Sequence, residues 1–565
     1  MKSITTLILL VLCISIITSP GKVAAFEFTQ NEDFLRSFLS LDGLKMTPAK
    51  QGGAVQVEIE GMLENTPFKI NGSLGPLIHA IDPKLKWPVN ISLETAGANL
   101  TLVGTINDLN KFEGVDLNFV LTGKNLAGFE DMFGKKLPRV EAFTFKGKLK
   151  DSRPLQFELS DLHLLMEKSE VKGSCTIDFS QDRPHLKADF FSPYLDLRKV
   201  LASNDVLLEK DTPEKAFEPN TIQSTKNGKV FSTKRFDFKS LKSLNMELEL
   251  SVEKMLLRRL ALNDFHLQAS IRDGGFVVDS LTSDIGGGRL AGTFKMEPSD
   301  ETFTVSTLLD IDRMALHRML KDMEMDIQGE GMLEVRLDLN AKGSSVSELM
   351  AGLDGSAGLF MGEGRIDRNY LRFLGLFKIN LISSLVNILS FPVGIGKKEE
   401  VPVTNCFVMR FDINGGIANL VAFILDTPKT TIAANGRIDL STEKVDIYVK
   451  PISKEGLGAT GVAKFNLSLS ELTRVLYLGG TLANPSVAVD STQTFVTLGK
   501  AIGGVVLFGP AGVAAALFSG KIGGGSQNLC MEAIEVVQKG VEVSEEPTGV
   551  FNRLGDFLKR LNPFN

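Results

Sequence analysis

Short runs in which apolar and polar residues alternate recur along most of this chain of 565 residues. One run reads MLEVRLDLNAKG from Met332, where every second residue from Leu333 to Leu339 is apolar and charged residues stand between them. Because successive side chains of a β-strand point to opposite faces, this alternation predicts a strand with one apolar face and one polar face.

Turn-forming residues separate these runs roughly every ten residues, a spacing typical of consecutive antiparallel strands. By alternation we count on the order of twenty to twenty-five strands. The periodicity stops within residues 202–242, which are predicted to form a linker or long exposed loop. This linker divides an N-terminal β-region, residues 26–201, from a C-terminal β-region, residues 243–492.

Two helices are predicted inside the C-terminal β-region. The first lies near residues 345–353, where Ser345 is placed to cap its N-terminus. The second covers residues 368–391 and is apolar on most of its circumference, so it must be buried or lie against lipid.

The two ends of the chain differ from its middle. Residues 1–25 carry a lysine at position 2, continue with an apolar run and end in small residues, which is the order of a secretory signal peptide. An uncleaved N-terminal anchor is the alternative. Residues 493–565 are predicted to associate with a membrane. Within them, residues 501–520 carry no charge and suit one membrane span or two shorter helices. The tail from Val550 predicts an amphipathic helix that lies on a membrane or packs on the protein.

The composition is that of a globular protein, with 43% hydrophobic and 23% charged residues. The net charge is −6 and basic residues are interleaved with acidic ones, which argues against nucleic-acid binding. The chain has 37 Phe but only 4 Tyr and 1 Trp. Phe adds apolar area without a polar group, which suits a dry core or contact with acyl chains.

No arrangement of residues predicts catalysis, a cofactor or a metal ion. The five histidines stand far apart, without a second ligand at the spacing of a metal-binding face. The glycine-rich residues 284–292 lack the Lys-Ser/Thr of a phosphate loop and predict a bulge or tight turn, while Asn414-Gly415 predicts a hairpin turn. Cys175 and Cys406 are interpreted as small strand residues, and no disulfide is predicted.

Apolar strand faces must pack on another sheet, on helices or on a ligand. Two large β-sandwiches would satisfy this, but twisted sheets of more than about ten strands usually curl, and few helices are predicted to cover them. We therefore predict a mainly β fold: an elongated, curled antiparallel sheet that forms an apolar groove, with a few helices and a C-terminal hydrophobic and amphipathic helical region. The candidate groove residues, which would contact lipid, are Leu117, Phe119, Phe143, Phe145, Met246, Leu248, Leu250, Phe265, Leu267, Leu333, Val335, Leu337 and Leu339.

Several long segments of the chain resemble the AsmA family of Gram-negative envelope proteins, relatives of TamB among the bridge-like lipid-transfer proteins. The similarity covers roughly residues 68–490. It includes WPVNISLETAGANLTLVGTI from Trp87, SDIGGGRLAGTFKME from Ser283, CFVMRFDINGGIANL from Cys406 and GGTLANPSVAVD from Gly479.

The resemblance implies a β-groove that is attached to the inner membrane, faces the periplasm and supports movement of phospholipid to the outer membrane. The implied partners are phospholipid, the inner or outer membrane and an unidentified envelope protein, with no enzymatic activity. An assembly scaffold for outer-membrane proteins is the alternative. The family's usual segment between anchor and first repeats is short or absent here, so residues 501–520 would be the remaining membrane contact if the N-terminal segment is cleaved.

Overall fold

The computed structural model of the protein describes residues 39–48, 53–63, 66–76, 85–95, 97–108, 113–125, 142–198, 229–236, 241–257, 260–299, 302–322, 329–366, 403–428, 430–453 and 476–489. The predicted N-terminal segment 1–25, the predicted helix at residues 368–391 and the predicted membrane-associating segment 493–565 lie outside these ranges.

Alternating residues form strands along the described part of the chain, as the sequence predicts. The first ten are β1 (Leu39–Pro48), β2 (Val55–Leu63), β3 (Thr66–Leu74), β4 (Trp87–Thr95), β5 (Ala98–Ile106), β6 (Asp116–Gly123), β7 (Phe143–Arg153), β8 (Gln156–Met166), β9 (Ser169–Asp178) and β10 (His185–Asp196).

Sixteen further strands follow in the described residues after the predicted linker. They are β11 (Asn245–Leu257), β12 (Leu260–Arg272), β13 (Gly275–Ile285), β14 (Gly288–Ser299), β15 (Thr302–Ala315), β16 (Gly329–Glu330), β17 (Met332–Gly343), β18 (Asp354–Met361), β19 (Gly364–Ile366), β20 (Val403–Thr404), β21 (Cys406–Asn414), β22 (Ile417–Asp426), β23 (Thr430–Asp439), β24 (Lys444–Ser453), β25 (Leu476–Gly480) and β26 (Pro485–Val489).

Twenty-three of these strands form one sheet, and β16, β19 and β20 form a small second sheet. In the large sheet, strands pair antiparallel in chain order, except that β10 and β11 run parallel. A parallel pair needs a crossover connection of a dozen or more residues, and the predicted linker, residues 202–242, lies in this connection. The prediction of a mainly β, antiparallel-rich sheet is confirmed, and the sheet continues across the linker.

The strand register keeps apolar side chains on one face of the large sheet. Ile91 on β4 pairs with Leu102 on β5, and Leu102 pairs with Phe119 on β6. Across the parallel junction, Ala188 on β10 pairs with Leu248 on β11. Since side chains alternate along a strand, one such pair fixes the face of a strand as far as its next bulge.

Three non-glycine residues with left-handed backbone mark irregularities of the sheet: Asp161 on β8, Asp264 on β12 and Arg313 on β15, with φ of 52°, 47° and 49°. Each lies where the pairing with a neighbouring strand shifts register. A bulge of this kind bends its strand and increases the local twist, which favours a curled sheet.

The glycine-rich turns are where the sequence predicts them. Gly286 and Gly287, with φ of 56° and 74°, form the tight turn between β13 and β14. Gly415 and Gly416, with φ of 53° and 76°, connect β21 to β22, so the predicted hairpin is confirmed with its turn one residue later than Asn414.

Two short helices are present in the described residues. The predicted helix near Ser345 is confirmed as α2 (Val346–Ala351), where the Ser345 hydroxyl accepts a hydrogen bond from the Glu348 N–H. The other helix, α1 (Leu316–Asp322), was not predicted. It has only two turns between β15 and β17, which is too short for a helical periodicity to be recognised in the sequence.

The two described cysteines differ. Cys175 is free and buried, and burial raises the pKa of its thiol to about 11. Cys406, which is 1% exposed, is disulfide-bonded, so the prediction that the cysteines form no disulfide is wrong at this residue. Wide spacing in the sequence does not show which cysteines pair.

Candidate functional site

All thirteen predicted groove residues lie on the apolar face of the single sheet. Leu250 on β11 pairs with Leu267 on β12, and the row continues through Leu281 and Leu309 to Leu337 on β17. Residues that are more than eighty positions apart in sequence therefore belong to one surface.

The apolar face is closed at the N-terminal strands. We call the apolar face of β2–β6 the closed section. Here Leu102 and Phe119 are each 2% exposed, and Leu117 is fully buried. They belong to one cluster of buried side chains that extends from Val55 to Ala188. The closed section is therefore a dry hydrophobic core.

The same face is open farther along the sheet. We call the apolar face of β10–β15, β17, β18 and β21 the open trough. One residue from each of these nine strands forms a continuous, partly exposed row, namely Phe190, Leu250, Leu267, Leu281, Gly292, Leu309, Leu337, Ala357 and Phe411. With neighbouring strands about 4.8 Å apart, this row is about 40 Å long.

The predicted groove residues divide between these environments. Three of them are buried at or beside the closed section: Leu117, Phe119 and Phe143. Two more are buried at one edge of the open trough: Phe265 and Leu333. The remaining eight are partly exposed: Phe145, Met246, Leu248, Leu250, Leu267, Val335, Leu337 and Leu339.

Helix α1 borders one edge of the open trough. Its Leu316, Met319 and Leu320 are buried in a cluster that includes Leu333 of β17. Glycine at position 286 makes this packing possible. A Cβ atom there would lie 3.0 Å from the Met319 Cβ, which is too close for an ordinary contact. The Ala315 N–H donates to the Gly286 carbonyl over 3.0 Å and fixes the start of α1.

The opposite edge of the trough carries residues 229–236, which we call the strap. The N–H groups of Val230 and Phe231 donate to the carboxylate of Glu443, over 2.7 and 2.9 Å. Phe231 packs against the apolar cluster of β21–β25, and the ring of Phe236 lies 6.2 Å from that of Phe303, at the start of β15. Part of the predicted linker is thus built into the trough.

Two hydroxyl groups on the trough face donate to the main chain, whereas the buried hydroxyl of Ser192 on β10 has no hydrogen-bond partner among the described residues. The Ser283 hydroxyl donates to the Asn263 carbonyl over 2.8 Å, and the Thr307 hydroxyl donates to the Thr293 carbonyl over 3.3 Å. Since these donors are already satisfied by carbonyl groups, the trough presents little unsatisfied polarity at these two positions.

Charged side chains of the trough strands point to the opposite face. Asp310 pairs in register with Arg336, and the Arg336 Nε lies 3.7 Å from the Asp310 carboxylate. Partial burial raises the pKa of both Asp310 and Glu334. The alternation MLEVRLDL thus separates an apolar face from a charged outer face, as the sequence predicts.

Histidines and carboxylates do not gather in the trough. His163 lies 2.8 Å from Glu170, and His266 lies 3.0 Å from the Ser251 hydroxyl, both on the outer face. Within the ranges that the structure describes, no three His, Cys, Asp or Glu residues are arranged to hold a metal ion.

A concave opening of about 930 Å³ lies at the rim of the closed section, where β2–β7 meet their connections. Phe68 and Phe143 contribute its apolar wall, and Gly61 and Gly123 leave space between them. Lys69 stands at its polar side and pairs with Glu60 over 2.7 Å. Phe68 belongs both to this lining and to the buried cluster.

Sequence reasoning missed both elements that border the open trough. For α1, the spacing of the apolar residues Leu316, Met319 and Leu320 is that of one helical face, but it covers only two turns and is too short to predict a helix. For the strap, the signal is a run of basic residues with interspersed Phe, which has the polar composition of a linker.

In the described ranges, no helix has the length and apolar character of a membrane span.

Comparisons with known proteins agree with the similarity seen in the sequence. The model of the AsmA family matches residues 124–423, more than half of the chain and all strands of the open trough. AsmA family protein YhjG of Escherichia coli (strain K12) is 22% identical over 499 residues, which cover 86% of this chain and 68% of that protein. No solved structure matches.

Proposed function

The chain belongs to the AsmA family, and from this premise we propose that it carries phospholipid along its apolar groove between the inner and outer membranes. Membership of the family indicates a role in the bacterial envelope. The observation that carries the proposal further is the continuous row of partly exposed apolar residues across nine strands of the open trough.

Phospholipid needs such a surface because its acyl chains are costly to expose to water. Two acyl chains with about thirty methylenes, each contributing about 0.8 kcal/mol, would cost about 24 kcal/mol outside a membrane. A trough that covers the chains lowers this cost along the route. The head group can stay in water, since the trough is open.

The dimensions of the trough suit this task. One leaflet of a bilayer contributes about 15 Å of hydrocarbon, half of the total core. At about 40 Å, the trough is longer than one acyl chain, so a chain can advance without leaving apolar surroundings. Such movement breaks no covalent bond and requires no catalytic residue.

In this proposal the protein faces the periplasm, is attached to the inner membrane and supports outer-membrane integrity. The attachment would come from residues 1–25 or residues 501–520, both outside the described ranges. Phospholipid would occupy the open trough first, because the closed section presents little accessible apolar surface.

Photocrosslinking in living cells tests the proposal. A photoreactive phenylalanine analogue is placed at Leu337, on the trough face, and separately at Asp338, the next residue and exposed on the outer face. After irradiation, mass spectrometry of the purified full-length protein identifies adducts. We expect phospholipid adducts at residue 337 and none at residue 338.

The outcome at these two positions also separates the alternative function. A scaffold for assembly of outer-membrane proteins would give protein adducts, mainly from residue 338, and no lipid at residue 337. Equal lipid labelling at both positions would indicate nonspecific membrane contact and would refute transport along the trough.

A further inference from the structure

The strap and the residues on either side of it are unusually basic for this chain. Residues 225–243 contain five lysines and one arginine but only one acidic residue, Asp237, whereas the whole chain has a net charge of −6. Among the described members, Lys234, Arg235 and Lys242 are exposed. Carrying phospholipid along the trough does not by itself account for this concentration of charge.

The strap is amphipathic across the trough edge. Phe231 packs against the apolar cluster of β21–β25 and Phe236 lies against the buried ring of Phe303, while Lys234 and Arg235 between them are exposed. The main chain is held in this position from both sides, because the Phe236 N–H donates to the Ser344 carbonyl over 2.9 Å and Glu443 binds the other end.

The basic side chains follow the edge of the trough for several strands. Lys242 lies over the β12–β13 turn, where a Cβ atom at Gly274 would be 2.7 Å from its Cγ. At the other end, the Lys229 ammonium donates to the Ser441 carbonyl over 3.3 Å, in the β23–β24 turn. Basic side chains therefore reach along this edge from β12 to β24.

Two acidic residues at the same edge have partners. Asp273 pairs with Arg183 over 2.7 Å, and Asp354 accepts a hydrogen bond from the Gly415 N–H over 2.7 Å.

The acidic residues near the strap have other partners. Glu443 is 2% exposed and accepts the strap N–H groups. Glu348 accepts hydrogen bonds from the Ser344 N–H and hydroxyl, over 2.7 and 2.8 Å. Both carboxylates hold the main chain. The Ser344 hydrogen bonds lower the pKa of the Glu348 carboxyl, and Arg235 lies close enough to contribute to this lowering. Lys234 and Arg235 are nevertheless exposed.

We propose that the strap, with the adjoining Lys242, docks the edge of the open trough on an anionic membrane surface by binding phospholipid phosphate groups. Basic residues beside an apolar path match a phospholipid, whose phosphate lies next to its acyl chains. The inference rests on the proposed lipid transport and adds the edge at which lipid enters or leaves.

Vesicle binding by the full-length protein tests the inference. The test variant combines Lys234→Gln, Arg235→Gln and Lys242→Gln. The control removes the same number of charges from exposed positions on the outer face, by Lys146→Gln, Lys187→Gln and Lys295→Gln. Binding is measured by flotation with phosphatidylcholine vesicles, with and without phosphatidylglycerol, at low and high salt.

Each basic residue near an anionic membrane contributes about 1 kcal/mol, or about fivefold in binding. We expect the strap variant to bind phosphatidylglycerol vesicles on the order of a hundredfold more weakly, with little remaining salt dependence. The control variant should bind like the unchanged protein. Equal binding by the strap and control variants would overturn the inference.

The two proposals fail in different ways. If residue 337 crosslinks to phospholipid but the strap variant binds vesicles as well as the unchanged protein, the lipid-transport proposal stands and the docking proposal is wrong. If vesicle binding needs the strap but residue 337 captures no lipid, the strap binds membranes and the transport proposal fails. Circular dichroism of each variant checks that the sheet is intact.

Discussion

The closed section and the open trough are built from the same alternating pattern on the same face of one sheet, yet their side chains differ in exposure. Leu117 in the closed section is fully buried, whereas Leu337 in the trough is partly exposed. Pairing from β2 to β6 is uninterrupted, while β12–β13, β13–β14 and β15–β17 each contain register shifts.

This difference teaches that an apolar strand face has two possible uses. Where the side chains of neighbouring strands cover one another, as in the closed section, they pack together and stabilise the fold. Where bulges bend the strands and separate elements border the edges, the face stays available to a ligand. The two uses predict opposite responses to mutation.

Truncation of a closed-section residue should have the largest effect. Phe119 is 2% exposed, and the centre of its ring lies 5.2 Å from that of Phe145. Phe119→Ala should therefore lower the free energy of unfolding by about 3–5 kcal/mol. Leu337→Ala in the trough should cost less than about 1.5 kcal/mol, because its side chain is only partly buried. Urea denaturation measures the free energy of unfolding of each variant. A similar loss in the two variants would contradict the distinction between the closed section and the open trough.

Loss of the strap clamp should have the next largest effect. Glu443→Ala leaves the N–H groups of Val230 and Phe231 without their charged acceptor, at a cost of about 2–3 kcal/mol. Hydrogen exchange of residues 229–236 should accelerate while the sheet stays protected. Glu297→Ala, an exposed carboxylate on the outer face, serves as the control. Unchanged strap exchange would show that Glu443 does not hold it.

A charge in the trough should disturb function more than stability. Leu337→Asp should lower the free energy of unfolding by only about 1 kcal/mol. For this variant the photoreactive analogue is placed at Leu309, the partner of residue 337 on β15, and lipid crosslinking from there should be abolished. The outer membrane should also become permeable. Leu333→Asp is unsuitable for this test, since Leu333 is 8% exposed within the α1 cluster and its replacement should unfold the region. Normal permeability in a folded Leu337→Asp variant would contradict the transport proposal.

The smallest effect concerns Cys175, at the end of the buried cluster. Burial raises the pKa of its thiol from 9.0 to about 11, so between these values the unfolded chain loses its proton first. Stability should be unaffected below pH 9 and should fall by about 1 kcal/mol near pH 10. Cys175→Ala should remove this part of the pH dependence, as denaturation at each pH will show. A variant that keeps the full decline would place the cause elsewhere.

Particular elements show how far sequence reasoning reached. The strand of Leu333 to Leu339, the turns at Gly286 and Gly415 and the cap at Ser345 each follow from local rules of periodicity, backbone freedom and hydrogen bonding. The candidate groove residues were placed on a common face for the same reason.

Other features depended on contacts between distant residues. The strap contacts Glu443 across more than two hundred positions, and Cys406 forms a disulfide that its spacing did not predict. The parallel pairing of β10 with β11 likewise came from the path of the crossover. Local pattern carries no information on such pairings.

By itself, the sequence determined that this protein is a long series of strands with one apolar face, because alternation is a property of neighbouring residues. The tertiary structure alone decided where that face becomes a core and where it becomes an open surface. Burial depends on what the sheet, α1 and the strap bring against each side chain, and those neighbours come from distant parts of the chain.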